Sequence, residues 1–127
     1  MNLLKMFKGL FSSAPRVNPT ECASRLRSGE ACLIDVREAD ERADGVAEGA
    51  MLLPLSDLAG PRTQWQPFLA TVAQKELFLY CGAGVRSGMA ARVLTNEGFR
   101  AANAGSLADW EAAGWPVVRP NAAGRRR

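Results

Sequence analysis

Residues 76–97, ELFLYCGAGVRSGMAARVLTNE, read as three elements in succession. Glu76 to Tyr80 is a short apolar run of the kind a strand buried on both faces needs. It passes without a break into Cys81-Gly-Ala-Gly-Val-Arg86, a loop with glycines at positions 82 and 84. From Ser87 to Glu97 small and apolar residues recur at helical spacing, and Gly98 stops them. A buried strand, a glycine-bearing loop and a helix in that order form half of a parallel crossover unit, which places the chain in the α/β class.

The neighbouring segments repeat the alternation. Asn18-Pro-Thr-Glu21 supplies an N-cap, a proline at N1 and a glutamate at N3, and the helix it opens runs to about Ser28, with Gly29 as its stop. Ala31 to Val36 is apolar except for Asp35 and reads as a second buried strand, and Ala50 to Pro54 as another short one. Arg37 to Asp44, being charged and ended by Gly45, is expected to form a short exposed helix. A helix is expected around Phe68 to Gln74, a last strand over Phe99 to Asn103, and a final helix over Leu107 to Ala113 before Gly114 and Pro116. The spacing predicts a three-layer α/β/α domain with a central, mostly parallel sheet of about five strands.

A chain of 127 residues holds one ordinary domain, taken here as residues 17–118, between an N-terminal segment of residues 1–16 and a basic, disordered tail of residues 119–127. Over residues 1–14, Leu3, Leu4, Phe7, Leu10 and Phe11 fall at helical spacing, the pattern of a helix packed on the domain or, less simply, one lying on a membrane or partner. Lys5 and Lys8 interrupt the apolar run that an export signal requires. The net charge of +3 comes from the ends: residues 17–118 hold nine basic and thirteen acidic residues, or −4, which argues against a nucleic-acid-binding face. Histidine is absent, excluding imidazole base catalysis and the usual Cys/His zinc site, so no metal and no cofactor are expected. Cys22, Cys32 and Cys81 form no close pair, which suits a reducing, cytoplasmic setting, and the Arg- and Ala-rich composition suggests a bacterial source.

Cys81 falls at the carboxyl end of a strand, where open parallel sheets bind their ligands. Gly82 and Gly84 allow the backbone N–H groups of residues 82–86 to turn inward as an anion-binding nest. Together with the following helix N-terminus they hold a thiol below its ordinary pKa of about 8.5, so that no histidine is needed to make a nucleophile. Arg86 adds a cation with forked donors for an anionic substrate. The loop has rival readings. Cys81 could be an inert core residue beside a tight βα turn. Nucleotide binding fails because Ser87 stands at the third glycine of the dinucleotide fingerprint and no GK[ST] follows. A cysteine phosphatase loop has five residues between cysteine and arginine, whereas four separate Cys81 from Arg86. The shorter loop suits a smaller reacting centre, a single sulfur.

Taken in order, the motifs resemble the rhodanese-like (sulfurtransferase) family. Val17-Asn-Pro-Thr-Glu21 is similar to its entry helix, Leu33-Ile-Asp-Val-Arg-Glu38 to its LIDVRE signature with Glu41 following, and Gly45-Val-Ala-Glu-Gly-Ala50 to its GHIxGA segment. Cys81-Gly-Ala-Gly-Val-Arg-Ser87 has the CxxGxRS form, and Asn103 to Trp110 with Ala113-Gly-Trp-Pro116 looks like its closing segment. Val46 stands where the family usually has histidine, Arg42 where an aromatic is common, and Ser106 where a second glycine is frequent. The resemblance implies a transferase of the thiosulfate sulfurtransferase type: Cys81 takes a sulfane sulfur as a persulfide and passes it to a thiol, cyanide or a partner protein, with Gly82, Ala83, Gly84, Val85 and Arg86 as the substrate cradle. The alternative it leaves is a non-catalytic sulfur-carrier or regulatory module. Of the supporting residues, Glu41 is a candidate to orient Arg86, with a solvated helix carboxylate as the equal alternative, and Asp35 and Arg37 are expected to tie loops together through buried polar bonds. Cys22 and Cys32 are expected in the core, with Trp110 and Trp115 as packing anchors.

Overall fold

The computed structural model describes residues 14–72 and 74–120. The N-terminal pattern up to residue 13 and the tail beyond residue 120 lie outside them. Helix α1 (Pro19–Ser28) starts at its proline because Asn18 accepts the Glu21 amide at 2.9 Å, and it ends where Gly29 turns left-handed at φ 83°. Strand β1 (Ala31–Asp35) follows, then a 3-10 turn over Ala39–Asp44, the two-residue strands β2 (Val46–Ala47) and β3 (Met51–Leu52), and helices α2 (Leu55–Leu58) and α3 (Trp65–Val72). Next come β4 (Glu76–Cys81), α4 (Val85–Asn96), β5 (Arg100–Ser106), α5 (Leu107–Ala112) and β6 (Val117–Val118).

The central sheet is parallel throughout, in the order β3-β1-β4-β5. It has four strands rather than about five, because β2 leaves it to pair antiparallel with β6. Strand alternation divides the apolar residues into two cores. Ile34, Leu77, Leu79 and Ala101 point to one face, where α2, α3 and α4 bring Leu58, Trp65, Leu69, Ala90, Ala91 and Leu94 against them. Leu33, Phe78, Tyr80 and Ala102 point to the other, covered by Cys22 and Leu26 of α1 and Trp110 of α5. The three expected layers are therefore present. Cys22 is buried and Cys32 half-buried, Trp110 is fully buried, and Trp115 is half-exposed with its indole N–H on the Glu48 carbonyl at 2.8 Å. Among the described residues no helix is long and apolar enough to cross a membrane.

Several local expectations are corrected. The 37–44 segment does form a short helix, a 3-10 helix over Ala39–Asp44 with Ala39, Asp40, Ala43 and Asp44 exposed, but Arg37 and Arg42 are buried, because carbonyl and carboxylate partners wait for them beneath the turn. The third strand is Met51–Leu52 alone, and Met51 on the sheet edge is exposed rather than buried. Helix α3 begins at Trp65, three residues before Phe68, since the Asp57 carboxylate accepts the amides of Thr63, Gln64 and Trp65. Helix α4 begins at Val85, inside the loop. Strand β5 runs on to Ser106, and Pro15 to Val17 lie along its edge through hydrogen bonds to Asn103.

Candidate active site

Strand β4 delivers Cys81 to the carboxyl end of the sheet, and the loop then turns back over it. Gly84, the N-cap of α4, has φ 86°, a left-handed conformation that favours glycine. It aims its own N–H at the Cys81 sulfur, at 3.0 Å. One turn on, the Ser87 N–H and the Ser87 hydroxyl each approach the same sulfur at 3.4 Å. Cys81 is 1% exposed, yet its sulfur is not sealed in hydrocarbon, since these donors surround it and Gly82, Ala83 and Val85 of the same loop are exposed. Burial by itself pushes the thiol up; the Ser87 hydroxyl and the amides of Ser87, Ala83 and Gly84 outweigh it, and the pKa lies below its ordinary value.

Ser87 was not singled out from the sequence, although it closes the CxxGxRS form. It is fully buried, and its Oγ lies 2.7 Å from Asn103 Oδ1 and 3.4 Å from the Gly105 carbonyl. Asn103 in turn donates to the Gly84 carbonyl at 2.9 Å, holding the loop from below. These two contacts depend on an irregularity in β5: between the pairs Leu79–Asn103 and Cys81–Ser106 the register shifts. Gly105 sits in that bulge at φ 82°, and a Cβ there would come within 2.5 Å of the Asp109 carboxylate. Ser106, where a second glycine is frequent, caps α5 by accepting the Asp109 amide at 3.1 Å.

Of the two readings of Glu41, the structure has the one in which it meets Arg86. Glu41 holds Nη1 at 2.5 Å and Nη2 at 2.7 Å in a bidentate ion pair, half-buried on both sides. The pair lies over Gly82, whose Cβ, were there one, would stand 3.3 Å from Arg86 Nη2. The hydrogen bonds from Arg86 bring the Glu41 carboxyl down to about 2, and Glu41 raises the Arg86 guanidinium above its ordinary value.

Glu41 is itself placed from the core. Asp35, fully buried at the end of β1, accepts the Arg37 amide at 2.8 Å, the Arg37 Nη2 at 2.8 Å and the Tyr80 hydroxyl at 2.8 Å. Arg37 Nη1 donates to the Glu41 carbonyl at 3.1 Å, and Nη2 also donates to the Gly45 carbonyl at 2.6 Å. Tyr80 accepts the Ala47 amide at 2.9 Å, tying β2 to the same cluster beside Val46, which is buried where the family usually has histidine. Asp35 and Arg37 therefore do not touch the loop; they fix the backbone from which Glu41 reaches it. Burial lowers the Arg37 value on its own, but the bond to Asp35 carries it above the ordinary guanidinium range.

A family model described as "Rhodanese-like domain" matches residues 18–113. The chain belongs to that family. A human thiosulfate:glutathione sulfurtransferase is 32% identical over 110 residues, covering 78% of this chain and 95% of that protein. The solved structure of a human single-domain sulfurtransferase matches this rhodanese-like fold with a TM-score of 0.65 at 32% identity, over 78% of this chain and 96% of the other. A rhodanese-related protein from Thermoplasma volcanium matches with a TM-score of 0.67 at 25% identity, over 82% and 97%. Among the described residues no group of three or more His, Cys, Asp or Glu side chains is arranged to hold a metal ion.

Proposed function

We propose that this rhodanese-like protein is a sulfurtransferase that carries a sulfane sulfur on Cys81. The observation that carries this reading is the convergence of two backbone N–H groups and a hydroxyl on one sulfur at the mouth of a parallel sheet. A similar sulfurtransferase at 32% identity supports the reaction class. Those donors stabilise a thiolate, and they serve a persulfide anion for the same reason that an oxyanion hole serves an oxyanion.

The thiolate attacks the outer sulfur of a donor such as thiosulfate from the side of Gly82 and Ala83, since Ser87, Gly105 and the core close the others. A Cys81 Sγ–S bond forms as the S–S bond of the donor breaks, and the leaving group, sulfite from thiosulfate, departs with the electron pair. An acceptor thiolate or cyanide then attacks the outer sulfur of the persulfide, and Cys81 leaves as the thiolate from which it began. No oxidant or reductant is consumed. The cradle from Gly82 to Arg86 holds the transferred sulfur, and the free state of all three cysteines fits a reaction run in a reducing cytoplasm. Intact-mass measurement after incubation with a sulfane donor tests the reading: the wild-type chain should gain about 32 Da at Cys81 and lose it to cyanide. Equal sulfur loading in Cys81→Ser would overturn the assignment.

A further inference from the structure

The loop contains one cation, Arg86, and both of its terminal nitrogens are held by Glu41, at 2.5 and 2.7 Å. Two further arginines near the mouth are turned inward. Arg37 is bound to Asp35, and buried Arg42 turns Nη2 onto the Arg37 carbonyl at 2.8 Å. Arg16 is exposed and brings Nη2 to 3.8 Å from where a Gly84 Cβ would stand, on the Gly105 side of the loop, and its charge acts on Asp109. Glu38, whose charge reaches Arg86, adds a further carboxylate next to the pair. With the Arg86 charge matched by Glu41, a donor arriving over Gly82 meets no uncompensated cation of the loop itself, and thiosulfate would bring two negative charges to the thiolate.

We propose that Glu41 sets the charge selectivity of the site: by occupying the Arg86 fork it turns the domain away from dianionic thiosulfate and toward organic persulfides, whose reacting end carries at most one negative charge. This rests on the sulfurtransferase reading and narrows its donor. With R–S–SH the step balances simply. Cys81 Sγ bonds to the outer sulfur, which keeps its proton, while the S–S bond between that sulfur and RS breaks and RS⁻ leaves with the pair. The position of the ion pair over Gly82 puts the selecting charge on the exposed side of the loop, the side on which a donor arrives.

The test follows the rate at which Cys81 gains sulfur, by rapid quench and intact mass on the full chain, against the concentration of two probes, thiosulfate and glutathione persulfide. The wild-type protein should reach half-saturation at lower persulfide than thiosulfate. Glu41→Gln should lower the half-saturating thiosulfate about tenfold, the effect of one freed cation on a dianion a few ångströms away in a watery setting, and leave the persulfide value within about twofold. A purely structural role for Glu41 would move both donors together, and that result, or a thiosulfate value unchanged or raised, overturns the proposal. Should Glu41→Gln not fold, the salt dependence of the wild-type chain decides: screening the carboxylate should lower the half-saturating thiosulfate and leave the persulfide value within about twofold, whereas a rise for thiosulfate means that a cation of the site binds the donor directly and refutes the proposal. Absence of loading from either donor, with Cys81→Ser identical to wild type, defeats the sulfurtransferase reading itself; loading in the opposite charge order defeats only this one.

Discussion

Cys81 and Cys22 are both buried thiols, and their surroundings send them in opposite directions. Around Cys22, burial acts with the nearby carboxylates of Glu21 and Glu76 to push the thiol up to about 12. Around Cys81 the same burial is opposed by a hydroxyl and several amides, and the thiol falls below its ordinary value. At pH near 7, alkylation of the native protein should therefore label Cys81 and spare Cys22, with the Cys81 rate reaching half its maximum below the pH typical of a free thiol. Peptide mapping after a short iodoacetamide pulse, repeated across pH, measures both. Ser87→Ala removes the side-chain donor and should shift the Cys81 midpoint upward while the amide of residue 87 remains; an unmoved midpoint would assign the lowered value to the backbone alone. The sequence revealed the thiol and its glycines because a turn this tight restricts what can follow a strand. It did not reveal Ser87, because a serine at the start of a helix is ordinary, and its role arises only from the bulge that brings Asn103 and Gly105 beneath it.

At the scale of elements, the loop and its helix stand or fall on Gly84. Its left-handed conformation is the hinge between β4 and α4, and a Cβ there would meet only ordinary contacts at 3.6 Å and beyond. Gly84→Ala should therefore cost about 1–2 kcal/mol in urea unfolding from backbone strain alone. A stability equal to wild type would mean that the loop relaxes to another conformation. The Tyr80 hydroxyl joins β4 to β1 through Asp35 and to β2 through the Ala47 amide. Tyr80→Phe strands that buried amide and should cost about 1–3 kcal/mol; a change under about 0.5 kcal/mol would show that a water replaces the hydroxyl. Runs of apolar residues such as Leu77–Cys81 declare themselves, because burial on both faces leaves no charged position in them. The pairs Val46–Ala47 and Val117–Val118 do not, since two residues hold no period. The 37–44 stretch misled for a different reason: charge normally marks a solvated face, but here Asp35 and a row of carbonyls were buried to receive Arg37 and Arg42.

For the molecule as a whole, the alternation of strand and helix was legible because each crossover spans a full set of residues, whereas the long-range polar pairs that fix the mouth were only partly so. Glu41 and Arg86, separated by 45 positions, could be paired only as charge types; that the pair is bidentate and crosses Gly82 is a property of the fold. The consequence is a defined acid response. Glu41 is lowered by the Arg86 hydrogen bonds, Glu97 by those of Arg62 and Asp109 by the Ser106 amide, while at Asp57 burial pushes upward and the Trp65 and Gln64 amides more than compensate. In every case the folded value lies below the unfolded one. The stability each contributes is therefore complete above the unfolded carboxylate range and is lost as pH falls through the folded value. Urea midpoints should decline progressively below about pH 5, with the Glu41 share lost on the way to about pH 2. Because Glu41 and Arg86 are only half-buried, added salt should weaken that share. Glu41→Gln should flatten the decline and leave the remainder set by Asp57, Glu97 and Asp109. A decline of the same steepness in wild type and Glu41→Gln would mean that the ion pair is open in solution, and that the Arg86 fork is free to take an anion after all.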